Sequence, residues 1–124
     1  MYSYEDIFKN KKKILFVTAH PDDVDVTYAG TIAKLREDKK EVFVVVVTNG
    51  ARGSRENKIS EEELAKIREN EQINALSCVG VPKENFATLN YKDGEAENNM
   101  ELIGKIAYYI RKFKPEIVIT QDPE

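Results

Sequence analysis

Two runs of apolar, largely β-branched residues, KILFVTA (13–19) and EVFVVVVT (41–48), constrain the fold more than anything else in the chain. They are apolar at nearly every position rather than at every second one, which suits parallel strands covered on both faces. FATL (86–89) and EIVIT (116–120) are shorter versions of the same pattern. Parallel neighbours need crossover connections, so the stretches between these four strands have to carry helices.

Three stretches have the required period. Over residues 98–114, Leu102, Ile106, Tyr109, Ile110 and Phe113 fall within one arc of about 100°, and Pro115 bars further helix. Residues 26–37 form a shorter helix with Tyr28, Ile32 and Leu35 inward. Residues 60–79 form a longer one, opened by Ser60 with Glu63 three positions on, a capping-box pattern, and stopped at Gly80 with Pro82 beyond. On this helix Leu64, Ile67, Ala75, Cys78 and Val79 project as the apolar stripe, and Arg68 and Glu71 project inside it. The β-α-β-α-β-α-β order predicts a Rossmann-like α/β fold, a doubly wound parallel sheet in three α/β/α layers.

A chain of 124 residues buries roughly two thirds of its unfolded surface, enough for one core and not two, so residues 1–124 read as a single α/β domain. Net charge is −3, and the basic residues are scattered among acids, which argues against nucleic acid as a partner. The one basic cluster, Lys11 to Lys13, reads as the solvated start of a strand. The longest apolar stretch is far short of the ~20 residues that span a bilayer. Cys78 is the only cysteine, and the first ten residues hold no apolar core of signal-peptide length, so a cytoplasmic protein is expected.

In doubly wound sheets ligands bind outside the carboxyl ends of the strands. Here all four strands empty into polar, turn-forming residues: His20-Pro21-Asp22-Asp23, Asn49-Gly50-Ala51-Arg52-Gly53, Asn90-Tyr91-Lys92-Asp93-Gly94 and Gln121-Asp122-Pro123-Glu124. The first of these is the sharpest. AHPDDVD (19–25) puts the chain's only histidine and three carboxylates within six residues. Imidazole and carboxylate are ordinary zinc ligands, and so much negative charge is costly unless a cation or a helix N-terminus offsets it. The other account is structural, with Asp22 or Asp23 capping the following helix and His20 bonded to a carbonyl. Arg68 likewise has two readings: Arg68 and Glu71 satisfy each other, or Arg68 reaches the crevice and holds a polar substrate. Neither GxGxxG nor GxxxxGK[ST] is present, so the usual nucleotide fingerprints are missing.

AHPDDVDVTYAGT (19–31) resembles the first signature of the PIG-L/LmbE-like family of zinc-dependent N-acetylglucosaminyl de-N-acetylases. VTNGARGS, ELAKIRENEQINALSCVGV, LNYKDGE and KPEIVITQDPE keep that family's order, so the resemblance covers residues 13–124. The middle segments look closest to the archaeal diacetylchitobiose and bacillithiol-pathway deacetylases. The resemblance implies His20 and Asp23 as Zn2+ ligands, Asp22 as general base, and Arg68 and Asp93 as residues that grip sugar hydroxyls. It also implies an amino-sugar substrate and a homo-oligomer, trimer or hexamer.

The sequence departs from the family pattern in three places. Val24 and Ala51 stand where glutamate is frequent. The third departure is larger: the family takes a further zinc ligand and an assisting histidine from an HPDH-like motif after the fourth strand, and this sequence has no second histidine. The expectation is therefore of the N-terminal portion of such an enzyme, with a sheet incomplete at its C-terminus, exposed apolar surface and activity that depends on the missing part. Asp25, Asp122 and Glu124 are the remaining oxygen donors. The competing expectation is a non-catalytic α/β sugar-binding or assembly module with a degenerate site.

Overall fold

A computed structural model of the chain describes residues 3–19, 28–48, 60–91 and 100–120. The elements are α1 (Tyr4–Phe8), β1 (Lys13–Thr18), α2 (Ala29–Glu37), β2 (Glu41–Thr48), α3 (Glu61–Cys78), a 3-10 turn (Lys83–Asn85), β3 (Phe86–Tyr91), α4 (Met100–Phe113) and β4 (Ile117–Thr120). All strand pairs are parallel, in the order β3-β2-β1-β4. The expected strands are all present, with β3 running two residues further than FATL.

The apolar runs behave as their composition demands, for β1 and β2 are central and buried on both faces. On one face Ile14, Phe16, Val42, Val44 and Val46 pack with Ile32 and Leu35 of α2 and Leu76 of α3. On the other, Leu15, Val17, Phe43, Val45 and Val47 pack with Phe113 of α4, whose ring stacks on Phe43 at 4.4 Å. Helices thus cover both faces, giving the three α/β/α layers expected.

Helix ends follow local chemistry. The Ser60 side chain accepts from the Glu63 backbone N–H at 3.1 Å, the N-cap half of the expected box. Gly80, at φ 88, ends α3 in the left-handed conformation, and the Val81 N–H returns to the Leu76 carbonyl at 2.9 Å. Lys114, at φ 52, does the same service for α4 just before Pro115. The sequence reading did not foresee α1, a five-residue helix with its own capping box between Ser3 and Asp6. It docks by side chains: the Tyr4 hydroxyl donates to Asp38 at 2.6 Å, and Lys34 lies 4.3 Å from the Tyr4 ring centroid.

Two details of helix orientation need correction. On α3, Ile67 is 43% exposed and Glu71, Ala75 and Cys78 are also exposed. The inward face runs instead through Leu64, Ala65, Arg68, Gln72, Leu76 and Val79. The apolar projection missed it because the upper half of this face meets the polar ends of the strands, where polar side chains can be accommodated. On α4, Leu102, Ile106, Tyr109 and Phe113 face the sheet as expected, whereas Ile110 is turned to the surface.

Candidate functional site

The strand order turns back between β1 and β4, so the crevice of a doubly wound sheet lies at their carboxyl ends. The HPDD segment leaves β1 at this point. Its root is firmly held: the Ala19 carbonyl accepts from both the backbone N–H of Thr48, at 2.9 Å, and the Thr48 hydroxyl, at 2.8 Å. Thr18 and Thr48 are themselves buried, so the last polar residues of the two central strands are shielded from solvent.

Beside this crevice, α3 and the carboxyl ends of β2 and β3 enclose a cleft. Its polar lining comes from Thr48, Arg68, Glu69, Gln72, Thr88 and Asn90. Gln72 is 4% exposed. The Nε–H of Arg68 is buried and has no hydrogen-bond partner among the described residues. A buried donor without an acceptor costs about 1–3 kcal/mol, which a ligand oxygen placed there would recover. The pairing of Arg68 with Glu71 weighed from the sequence is not seen, because Glu71 lies on the exposed side of the helix.

At the far side of the same edge, Tyr91 ends β3 and is tied to the first turns of α4. Its hydroxyl donates to Glu101 at 2.9 Å, Glu101 pairs with Lys105 at 3.1 Å, and the Lys105 ammonium lies 4.7 Å from the Tyr91 ring centroid. Burial and the hydrogen bond to Glu101 push the Tyr91 hydroxyl up, and those bonds hold Glu101 below its usual value.

Of the residues singled out from the sequence, Arg68 is placed at the carboxyl end. His20, Asp22, Asp23 and Asp93 lie outside the described residues, as do Asp25, Asp122 and Glu124. Among the described residues no three His, Cys, Asp or Glu side chains form a group that could hold a metal ion. No described helix is long and apolar enough to cross a membrane. Three polar residues of this end escaped the sequence reading. Thr48 carried a signal, a hydroxyl closing an apolar run; Gln72 carried none, since a glutamine in a charged helix reads as surface. Asn90 was noted only as part of a turn.

Comparison with known proteins agrees with this architecture. The model of the family described as PIG-L, GlcNAc-PI de-N-acetylase, matches residues 15–124. A diacetylchitobiose deacetylase of Thermococcus kodakarensis is 32% identical over 122 residues, covering 98% of this chain and 45% of that protein. A 1D-myo-inositol 2-acetamido-2-deoxy-alpha-D-glucopyranoside deacetylase of Rhodococcus jostii is 30% identical over 141 residues, covering 93% of this chain and 47% of that protein. Among solved structures, N,N'-diacetylchitobiose deacetylase from Pyrococcus horikoshii, complexed with its inhibitor MPG, matches with a TM-score of 0.86 at 34% identity. That match covers 94% of this chain and 43% of the other. The chain spans a little under half the length of these relatives.

Proposed function

The chain belongs to the PIG-L, GlcNAc-PI de-N-acetylase, family, and we propose that it is the zinc-binding, base-bearing part of a hydrolase that removes the N-acetyl group from an N-acetylglucosamine-type sugar or its conjugate. The observation that carries this reading is the place from which the HPDD segment departs: the carboxyl end of β1, where the strand order turns back, with Ala19 fixed by two hydrogen bonds from Thr48. The relatives' names describe deacetylation of acetamido sugars, which supports the same reaction class here.

His20 and Asp23 are the proposed zinc ligands, and the donor set fits, an imidazole and a carboxylate oxygen. When bound, zinc supplies Lewis acidity, which lowers the pKa of water and stabilises negative charge on the acetamide oxygen. Asp22, adjacent in sequence to a ligand, takes the proton of the attacking water and returns it to the departing amine. The amide C–N bond breaks, and acetate and a free amino sugar result. Arg68 donates to sugar hydroxyls and Asp93 accepts from them. A catalytic zinc keeps three protein ligands and an open position, so one ligand besides His20 and Asp23 completes the site. We place the reaction in the cytoplasm, in one α/β unit that self-associates as a trimer or hexamer.

Zinc content of the chain, purified without chelator, tests the metal assignment. Near-equimolar zinc is expected in the parent chain and in Asp22→Asn, and loss of zinc in His20→Ala. Zinc retained in His20→Ala would overturn it, and no zinc in any of the three would mean that these residues hold at most half of the metal site. In a chain extended through a following histidine motif, Asp22→Asn is further expected to lower acetate release from N-acetylglucosamine by about 100-fold or more. Saturable amino-sugar binding without metal, and no acetate release even from the extended chain, would favour a non-catalytic sugar-binding module instead.

A further inference from the structure

The end of β3 holds an irregularity that the reading above leaves unused. The β2–β3 register passes from Val46↔Thr88 to Thr48↔Tyr91, so β3 carries one residue more than β2 over this stretch. Asn90 sits in that bulge with φ 61, a left-handed backbone that a residue with a Cβ adopts uncommonly and asparagine more readily than most. Its own N–H is occupied by the Thr88 hydroxyl at 3.3 Å. Bulges beside active sites commonly serve to aim a side chain. Here Asn90, on the same side of the strand as Thr88, lines the cleft that Arg68 also lines, and the buried Nε–H of Arg68 has no partner among the described residues.

The cleft is narrow, with room for about one water-sized group. It therefore admits a hydroxyl at the edge of a ring rather than the ring itself. A ring hydroxyl both donates and accepts, and needs a donor and an acceptor set close together. Arg68 supplies only donors; an asparagine amide supplies an acceptor oxygen as well as a donor.

We propose that Asn90 is a further substrate-binding residue, which completes with Arg68 a subsite for one hydroxyl, or two neighbouring hydroxyls, of the sugar ring. The inference rests on the reading of Arg68 as a ligand of those hydroxyls. It goes beyond that reading in assigning the acceptor and in giving the bulge its purpose.

Glycine tolerates φ 61 without strain, so Asn90→Gly keeps the backbone and deletes only the amide. The test is a nuclear magnetic resonance titration of the 124-residue chain with N-acetylglucosamine, comparing the parent, Arg68→Ala, Asn90→Gly and the double variant. Asn90→Gly is expected to weaken binding about five- to ten-fold with an unchanged melting temperature. In the Arg68→Ala background the same change should add less than about two-fold, because the two side chains share one ligand group. A purely structural asparagine would leave binding untouched in the glycine variant. Unchanged binding in Asn90→Gly beside weakened binding in Arg68→Ala would overturn the inference and leave the Arg68 reading standing. Unchanged binding in Arg68→Ala, or no saturable binding by the parent, would overturn the Arg68 reading and this inference with it. Equal losses from Asn90→Gly in both backgrounds would overturn the shared subsite.

Discussion

Glu116 shows how a single exposed side chain joins distant parts of the chain. Its carboxylate accepts from the backbone N–H of Lys12 at 2.6 Å and of Lys13 at 3.3 Å, so the residue before β4 holds the first residues of β1. The Lys12 hydrogen bond, helped by that of Lys13 and the nearby lysine charges, holds the carboxyl below the usual glutamate value of 4.5. A depressed folded pKa means that the unfolded chain takes up the proton first. The stabilisation is thus complete above about 4.5 and is lost as pH falls through the folded value. Urea unfolding should show a loss of stability below that pH, and Glu116→Gln, which keeps an acceptor but no charge, should flatten this acid limb. An unaltered acid limb in the variant would remove Glu116 as its source. The residue scale is also where candidate site residues were most legible. HPDD declares itself by its density of ligand-type atoms at the end of an apolar run, and Arg68 by being a charge on a buried face. Asn90 could not be read in the same way, because its conformation depends on a slip in pairing between two strands.

At the scale of elements, strands were easier to read than helix faces. A run apolar at every position has no face to misplace, and β1 and β2 came out as expected, within a residue at their ends. α3 is the contrary case: eighteen residues with scattered apolar side chains, whose rotation was decided by what lies beneath it. The consequence can be measured. Leu76, buried among Val42, Val44 and Val81, should cost about 2–5 kcal/mol as Leu76→Ala. Ile67, on the exposed side, should stay within about 0.5 kcal/mol as Ile67→Ser. Denaturant unfolding of the two variants separates the observed rotation from the one the apolar projection favoured, under which Ile67→Ser would be the more harmful. The short α1 shows a different limit. Five residues cannot hold a helix alone, and it was visible only once Tyr4, Phe8 and Asp38 were seen together.

For the whole molecule, what matters is an unequal covering of the sheet. Ile117 and Ile119 of β4 pack against the α2–α3 layer, whereas Val118, which shares a face with Leu15, is 41% exposed on the α4 side. Ile103 and Ile110 on α4 are exposed in the same layer. Exposed apolar groups gathered on one side favour association, so light scattering should show association that grows with concentration and is reduced in Val118→Thr. A strictly monomeric chain at high concentration would count against it. The sequence by itself determined the α/β class, the parallel strands, the end of the sheet that carries polar residues and the HPDD segment, since all of these follow from local composition and its period. Only the tertiary structure decided that β1 lies between β2 and β4, that α3 turns Gln72 inward and Ile67 outward, and that a bulge aims Asn90 at the same cleft. Each of these depends on contacts between residues far apart in the chain, where packing outweighs local preference.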